Sequence, residues 1–132
     1  MKAIITGGGS GLGYEIAKQL KKRNIELMLI GRSKEKLNAA KEGLQYIETG
    51  AAIECFAFDI ADQNSVSDFF NTLKERNENI AYLFNVAGSF CYAKAEEITY
   101  KAVMDTLRPN MIGLMLMTAN AVKYFKSYPD SK

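Results

Sequence analysis

The chain has 132 residues, 48% of them hydrophobic, which is enough for about one domain with a buried core. Its 17 basic and 15 acidic residues give a net charge of +2 without a block of one sign, which excludes nucleic acid as the main partner. Two cysteines, no histidine and no apolar run of roughly 18 residues exclude a disulfide framework, a metal site and a membrane span, so we expect a cytoplasmic protein with reduced thiols.

Strand and helix patterns alternate along the chain. In chain order they first predict a strand at Lys2 to Thr6, a helix at Gly11 to Arg23, a strand at Glu26 to Ile30, and a helix from the Ser33 cap to about Glu48 with Gly50 as its end. They then predict a strand at Ala51 to Phe58, a helix from Asp62 to about Arg76, a strand at Ile80 to Val86, and a helix from Thr99 to about Phe125 that is broken or bent at Pro109. The first helix places Leu12, Ile16, Ala17 and Leu20 on one apolar face. This alternation predicts an α/β fold with a doubly wound parallel sheet covered on both faces.

The segment TGGGSGLG, residues 6–13, joins the first strand to the first helix. Gly7 allows a sharp turn, Gly11 lets the backbone approach a phosphate, and Gly13 allows the helix to pack closely on the sheet. The amides and the dipole at a helix N-terminus suit a pyrophosphate, and in parallel sheets ligands bind at the carboxyl ends of the strands. The loop therefore predicts a dinucleotide site, with a plain flexible turn as the alternative.

Three further motifs follow the next three strands. They are Gly31-Arg32-Ser33, Phe58-Asp59-Ile60 and Asn85-Val86-Ala87-Gly88. Taken singly, they also fit a solvated charge at a helix start, a residue that ends a strand, and an ordinary turn. Their position after successive strands predicts that they meet at one edge of the sheet.

Together with the opening loop, these motifs resemble those of the short-chain dehydrogenase/reductase family, classical type. The resemblance implies a Rossmann-like fold whose cofactor-binding residues are Thr6, Gly7, Ser10, Gly11, Leu12, Gly13, Arg32, Asp59, Ile60, Asn85, Ala87 and Gly88. Asp59-Ile60 resembles the family's pair at the adenine ring, and Val86 replaces the second asparagine of the Asn-Asn-Ala-Gly motif. Arg32 stands where members that prefer NAD have an acidic residue, which favours NADP over NAD because arginine can bind the 2′-phosphate.

The resemblance extends to Asn110-Met-Ile-Gly113, with Thr118 further on. It implies that Asn110 interrupts the helix and holds a water in a proton relay, as a catalytic residue. Leu107-Arg108-Pro109 looks inserted before it, so the alternative is a helix asparagine beside a proline kink. The family's Tyr-x-x-x-Lys spacing occurs at Tyr128-Pro-Asp-Ser-Lys132, which we interpret as coincidence because no fifth strand and no serine-bearing loop precede it.

The resemblance implies hydride transfer between NADP(H) and a small-molecule carbonyl or alcohol substrate. Residues 1–132 are then a single, incomplete NAD(P)-binding domain, truncated before the fifth strand of the family order 3-2-1-4-5-6-7, with the strand at Ile80 to Val86 as an exposed edge. The apolar helix over residues 111–125 fits either a homodimer interface or the core of a monomer. The alternative functions are a non-catalytic dinucleotide-binding module and an inactive fragment.

Overall fold

The computed structural model describes residues 1–127. Its strands are β1 (Lys2–Thr6), β2 (Glu26–Gly31), β3 (Ile53–Ala57) and β4 (Ile80–Asn85). Its helices are α1 (Gly11–Lys22), α2 (Lys34–Gln45), α3 (Gln63–Glu75), α4 (Tyr100–Leu107) and α5 (Leu114–Ser127). A short 3₁₀ turn covers Ala95–Glu97, and a π-helical segment, Arg108–Gly113, joins α4 to α5.

The strands described in residues 1–127 form one parallel sheet in the order β3-β2-β1-β4. Within it, Ile4 of β1 lies opposite Met28 of β2 and Leu83 of β4. The first strand of the sequence is therefore central, and every carboxyl end points to the same edge. This arrangement confirms the predicted α/β fold with a parallel sheet.

Helices cover both faces of the sheet because successive strand residues point to opposite sides. Ile4 and Met28 belong to the core on the face that α3 and α5 cover, whereas Ala3 and Ile5 belong to the core beneath α1 and α2. The first core is the more aromatic, with Phe69, Phe70 and Tyr124 buried in it. The nearly continuous apolar strands are thus explained by burial on two sides.

Helix α2 is shorter than predicted. It ends at Gln45, before the predicted limits at Glu48 and Gly50. The buried ammonium group of Lys21 donates hydrogen bonds to the carbonyl oxygens of Thr49 (3.3 Å) and Ala51 (2.5 Å). These two bonds hold the segment between α2 and β3 against α1.

The cysteines lie apart in the fold. Cys55 is in β3 and Cys91 is in the segment after β4, and both are free thiols. Over residues 1–127, no helix is both long enough and apolar enough to cross a membrane.

Candidate functional site

A cleft of about 750 Å³ opens at the carboxyl ends of the four strands. Parallel α/β sheets hold ligands at this edge. The structure brings nine of the predicted binding residues together around it: Gly7, Ser10, Leu12, Gly13, Arg32, Asp59, Ile60, Ala87 and Gly88. The prediction that Leu12 belongs to the apolar face of α1 is wrong, since this side chain is 68% exposed. The reason is that the first turn of α1 projects past the sheet into the cleft.

The loop after β1 needs glycine at two positions with positive φ. Gly7 has φ of +71°, and a Cβ there would lie 2.9 Å from Cα of Ala87. Gly11 has φ of +53°, but a Cβ there would meet no atom within 4 Å. The first glycine thus permits a close approach inside the protein, and the second borders open space.

The N-terminus of α1 lacks a side-chain cap. Its N-cap residue, Ser10, makes no capping hydrogen bond, whereas Ser33 accepts one from the Lys36 amide at the start of α2. The first amides of a helix have no partner within the helix. At α1 these amides, together with the positive end of the helix dipole, are available for an anion.

Gly13 has a different role from the predicted one. A Cβ at this position would overlap the carbonyl oxygen of Gly7 and approach Cα of Gly8 to 3.1 Å. The close contact therefore lies within the loop itself and not between the helix and the body of the sheet. Gly13 lets the loop fold back on the first turn of α1.

Two basic side chains line the cleft near the end of β2. Arg32 is exposed, and residues 1–127 provide neither an ion pair nor a side-chain hydrogen bond to its guanidinium. Lys36 lines the same cleft from the first turn of α2, and sequence analysis missed it. Its spacing of four residues from Arg32, at the start of a helix that leaves the cleft, was the available signal.

Asp59 is held by two hydrogen bonds at the end of β3. Its Oδ1 accepts from the Ala61 amide (2.9 Å), and its Oδ2 accepts from Nη2 of Arg108 (3.0 Å). Partial burial opposes ionisation, but the pKa of Asp59 is lowered because the Ala61 amide, Arg108 and the charge of Arg32 together outweigh it. The cleft therefore presents an ionised carboxylate in a fixed orientation.

Four residues that the sequence predicted for the site do not line the cleft: Thr6, Gly11, Asn85 and Asn110. Thr6 is fully buried, and its Oγ1 accepts hydrogen bonds from the amides of Val86 (3.0 Å) and Ala87 (3.1 Å). Asn85 donates from Nδ2 to Oγ1 of Thr118 at 3.0 Å. Thr6 and Asn85 thus hold the end of β4 against β1 and α5.

Asn110 supports the cleft wall from behind. Its Nδ2 donates to the carbonyls of Ser89 (2.6 Å) and Thr106 (2.8 Å), and its Oδ1 accepts from the Ser89 amide (3.3 Å). A Cβ on Gly88 would lie 2.5 Å from this Oδ1. The α-helical pattern is interrupted over the π-helical segment, so the chain widens at Pro109 instead of breaking.

Within residues 1–127, no Tyr-x-x-x-Lys pair lines the cleft. Tyr128 and Lys132 lie outside residues 1–127. The same spacing also occurs at Tyr14 and Lys18 of α1, which sequence analysis did not consider. There the Tyr14 hydroxyl lies against Gly43 of α2 and Lys18 pairs with Glu15 at 3.8 Å, so neither lines the cleft.

Comparison with known proteins identifies the family. A family model described as short chain dehydrogenase matches residues 1–131. The chain belongs to the short-chain dehydrogenase family. The Gly-rich loop and the motifs after the next three strands therefore lie in a family member, as the resemblance implied.

Two curated relatives each share 31% identity with the chain. One is short-chain dehydrogenase TIC 32 A, chloroplastic, from Brassica napus, aligned over 128 residues that cover 96% of this chain and 39% of the relative. The other is gluconate 5-dehydrogenase from Gluconobacter oxydans, aligned over 110 residues that cover 83% and 42%. The chain thus spans about two fifths of the length of these relatives.

Solved structures of the family share the fold. Levodione reductase superposes with a TM-score of 0.88 at 27% identity, over 98% of this chain and 50% of that chain. A short-chain dehydrogenase from Sphingobium yanoikuyae in complex with NADPH superposes with a TM-score of 0.83 at 25% identity, over 96% and 48%. The Rossmann-like architecture is common to all three chains.

Proposed function

We propose that the cleft binds NADP(H) and prefers it to NAD(H). The observation that carries the preference is Arg32, an exposed guanidinium without an ion-pair partner in residues 1–127, at the end of β2. Arginine binds phosphate through charge-assisted, often bidentate hydrogen bonds. Lys36, on the same side of the cleft, adds a second positive charge for a 2′-phosphate.

The residues around α1 fit the pyrophosphate of such a cofactor. Ser10 leaves the helix N-terminus without a side-chain cap, and the absence of a side chain at Gly11 keeps the approach to the amides open. Asp59 and Ile60 line the opposite wall, where an adenine ring would meet a hydrogen-bond acceptor and an apolar surface. The family match and the NADPH complex of the Sphingobium yanoikuyae relative support this assignment.

We further propose that the whole protein is an oxidoreductase acting on a small carbonyl or alcohol compound. The bound nicotinamide would supply or accept the hydride. In this chain, Arg32 and Lys36 would bind and orient the cofactor, and Asn110 would hold the cleft wall and, through it, the position of a relay water. The Ser and Tyr-x-x-x-Lys of the family pattern would complete the reaction.

A fluorescence titration tests the cofactor preference. The Arg32→Ala variant should bind NADPH roughly 10- to 100-fold more weakly, because it loses a charge-assisted hydrogen bond of about 1.5 to 3 kcal/mol. Its affinity for NADH, which has no 2′-phosphate, should change by less than about twofold. The matched control is Lys34→Ala, which removes an exposed positive charge two residues away that does not line the cleft.

Two outcomes would contradict the proposal. Equal losses for NADPH and NADH in the Arg32 variant would remove the phosphate role of Arg32, and tighter binding of NADH than NADPH by the unaltered chain would overturn the preference itself. NADPH binding without NADPH oxidation across a panel of carbonyl compounds would instead favour a dinucleotide-binding module without catalysis.

A further inference from the structure

The ion pair between Arg108 and Asp59 joins two walls of the cleft. Asp59 follows β3, and Arg108 begins the π-helical segment 49 residues later. The next residue in that segment, Pro109, itself lines the cleft. The pair therefore connects the end of β3 to a distant segment at Asp59, the acidic side chain that lines the cleft.

A second contact fixes the same two segments. At the other end of the π-helical segment, Gly113 lies so close to Ile60 that a Cβ on the glycine would overlap the isoleucine side chain. Ile60 is buried and also lines the cleft. Residues 59 and 60 are thus held by the π-helical segment at both of its ends, and this segment sets the orientation of the Asp59 carboxylate together with the Ala61 amide.

The Asp59 carboxylate keeps acceptor sites that no group of the protein fills in residues 1–127. Each of its oxygens has two acceptor sites, and each accepts one hydrogen bond within the protein, from Ala61 or from Arg108. Because Asp59 lines the cleft, the free acceptor sites are available to a donor group of a ligand. An ionised acceptor in a fixed orientation selects a ligand that carries a donor at that point and rejects one that carries a carbonyl oxygen.

We propose that Arg108 is a positioning residue for base recognition: it orients Asp59 so that the cleft selects a purine with an exocyclic amine, adenine, over one with an oxygen there, hypoxanthine. This inference rests on the proposed dinucleotide function. It assigns to the π-helical segment a part in choosing the base, in addition to its part in supporting the loop after β4.

The test compares NADPH with its deaminated analogue, in which hypoxanthine replaces adenine. Both are titrated by fluorescence against the unaltered chain, Arg108→Gln and Arg108→Lys. We expect the unaltered chain to prefer NADPH by roughly tenfold or more, since the oxygen of hypoxanthine leaves the charged acceptor unpaired. The glutamine variant should bind the two within about threefold of each other, and the lysine variant should keep an intermediate preference because it retains the charge.

Arg76→Gln is a closely matched control. Arg76 pairs with Glu54 at 2.9 Å near the amino end of β3, and the exposed fractions of the two side chains are 48% and 34%. The corresponding values for Arg108 and Asp59 are 3.0 Å, 46% and 34%. The control removes an ion pair of similar length and exposure at the opposite end of β3, away from the cleft, so the base preference of this variant should equal that of the unaltered chain.

The pH dependence of the preference separates positioning from general stabilisation. Arg108 lowers the pKa of Asp59, so its removal raises that pKa. As pH falls, the preference for NADPH should therefore disappear at a higher pH in the Arg108→Gln variant than in the Arg108→Lys variant. A residue that only stabilised the fold would not shift this transition.

The outcomes that would overturn the inference are distinct. An unchanged preference in Arg108→Gln, or equal losses of affinity for both dinucleotides, would overturn the positioning role and leave the proposed function intact. If the unaltered chain binds neither dinucleotide, the proposed function and this inference fail together. If Arg108→Gln does not fold, a preference in Arg108→Lys equal to that of Arg76→Gln, with no shift in its pH dependence, would still refute the inference.

Discussion

Gly11 and Gly13 lie two residues apart in the first turn of α1, and their surroundings differ sharply. At Gly13 an added methyl group would overlap a backbone carbonyl of the loop, whereas at Gly11 it would project into open space. Gly11 does require a positive φ, which an alanine adopts only with strain. Packing therefore excludes a side chain at Gly13, whereas backbone conformation disfavours one at Gly11.

We expect these two glycines to respond differently to substitution by alanine. Gly13→Ala should lower the free energy of unfolding by about 3 kcal/mol, because rigid backbone atoms must move to relieve the overlap. Gly11→Ala, which serves as the matched control, should cost about 1 kcal/mol from backbone strain. Urea unfolding followed by circular dichroism measures both, and equal losses would show that the loop accommodates a side chain at Gly13.

The individual residues of the cleft were predictable where a strand end alone determines their position. Arg32 and Asp59 each follow a strand, and the carboxyl ends of parallel strands share one edge, so sequence order was sufficient. Lys36 and Arg108 were missed because their positions depend on how a helix leaves the sheet and where a distant π-helical segment returns to it. The four-residue spacing from Arg32 was a local signal for Lys36, but no local pattern indicates the position of Arg108.

Among the elements of the fold, strand β4 and helix α5 carry apolar side chains that are exposed. Tyr82, on the edge strand, is 39% exposed, and Met115 of α5 is 63% exposed. The apolar residues exposed between positions 111 and 125 also include Met111, Ile112, Leu114 and Val122. Exposed apolar helices and unpaired strand edges both promote association between chains.

We propose that two copies associate through the helix over residues 111–125. Met115→Lys should then raise the dissociation constant of the dimer roughly tenfold or more, because the interface would bury an unpaired charge. Tyr82→Lys, on the edge of β4, should leave it nearly unchanged. Sedimentation velocity at several concentrations measures both. If only the Tyr82 variant dissociates, association occurs through the strand edge instead, and a monomeric unaltered chain would remove the dimer proposal.

The helix predicted from Thr99 to about Phe125 is interrupted, and only part of this interruption could be predicted from the sequence. Pro109 correctly located the irregularity, since proline cannot donate a hydrogen bond within a helix. The form of the irregularity, a π-helical segment stabilised by the Asn110 side chain, depends on Ser89 in another part of the chain. The position of the irregularity was therefore predictable from Pro109 alone, whereas its π-helical form was not.

At the scale of the whole molecule, an ion-pair network joins several elements at the amino edge of the sheet. Nζ of Lys2 lies 2.8 Å from Glu78 and 3.1 Å from Glu54, and Arg76 pairs with Glu54 at 2.9 Å. Partial burial opposes ionisation of Glu54, but its pKa is lowered because Lys2 and Arg76 outweigh that effect. A carboxylate with a lowered pKa stabilises the fold above its unfolded pKa.

We expect the contribution of Glu54 to disappear in acid. The difference in unfolding free energy between the unaltered chain and Glu54→Gln should be largest near neutral pH. It should shrink as pH falls below the ordinary glutamate value of 4.5 and through the lower folded value. Urea unfolding between pH 7 and pH 3 measures it, with the exposed Glu42→Gln as the control. A difference that stays constant over this range would show that Glu54 acts only through its size and polarity.

The overall arrangement of strands and helices was easier to predict from the sequence than the individual contacts. Apolar strands alternating with amphipathic helices leave few alternatives to a parallel sheet with helices on both faces, and the strand order followed from the family resemblance. The contacts of the segment after α2 were not predictable, because the buried Lys21 that binds its carbonyls belongs to a different helix. Polar contacts between residues far apart in the chain, such as this one, are a feature of the structure that the sequence pattern did not predict.

The central place of β1 in the sheet has a consequence for synthesis. Its carboxyl end bonds to β4 through Thr6 and Phe84, which are separated by 78 residues. At roughly 5 to 20 residues per second, the ribosome needs about 4 to 16 seconds to make the intervening chain. During that interval one side of an apolar strand has no partner within the chain, and such an unpaired edge can pair with another polypeptide.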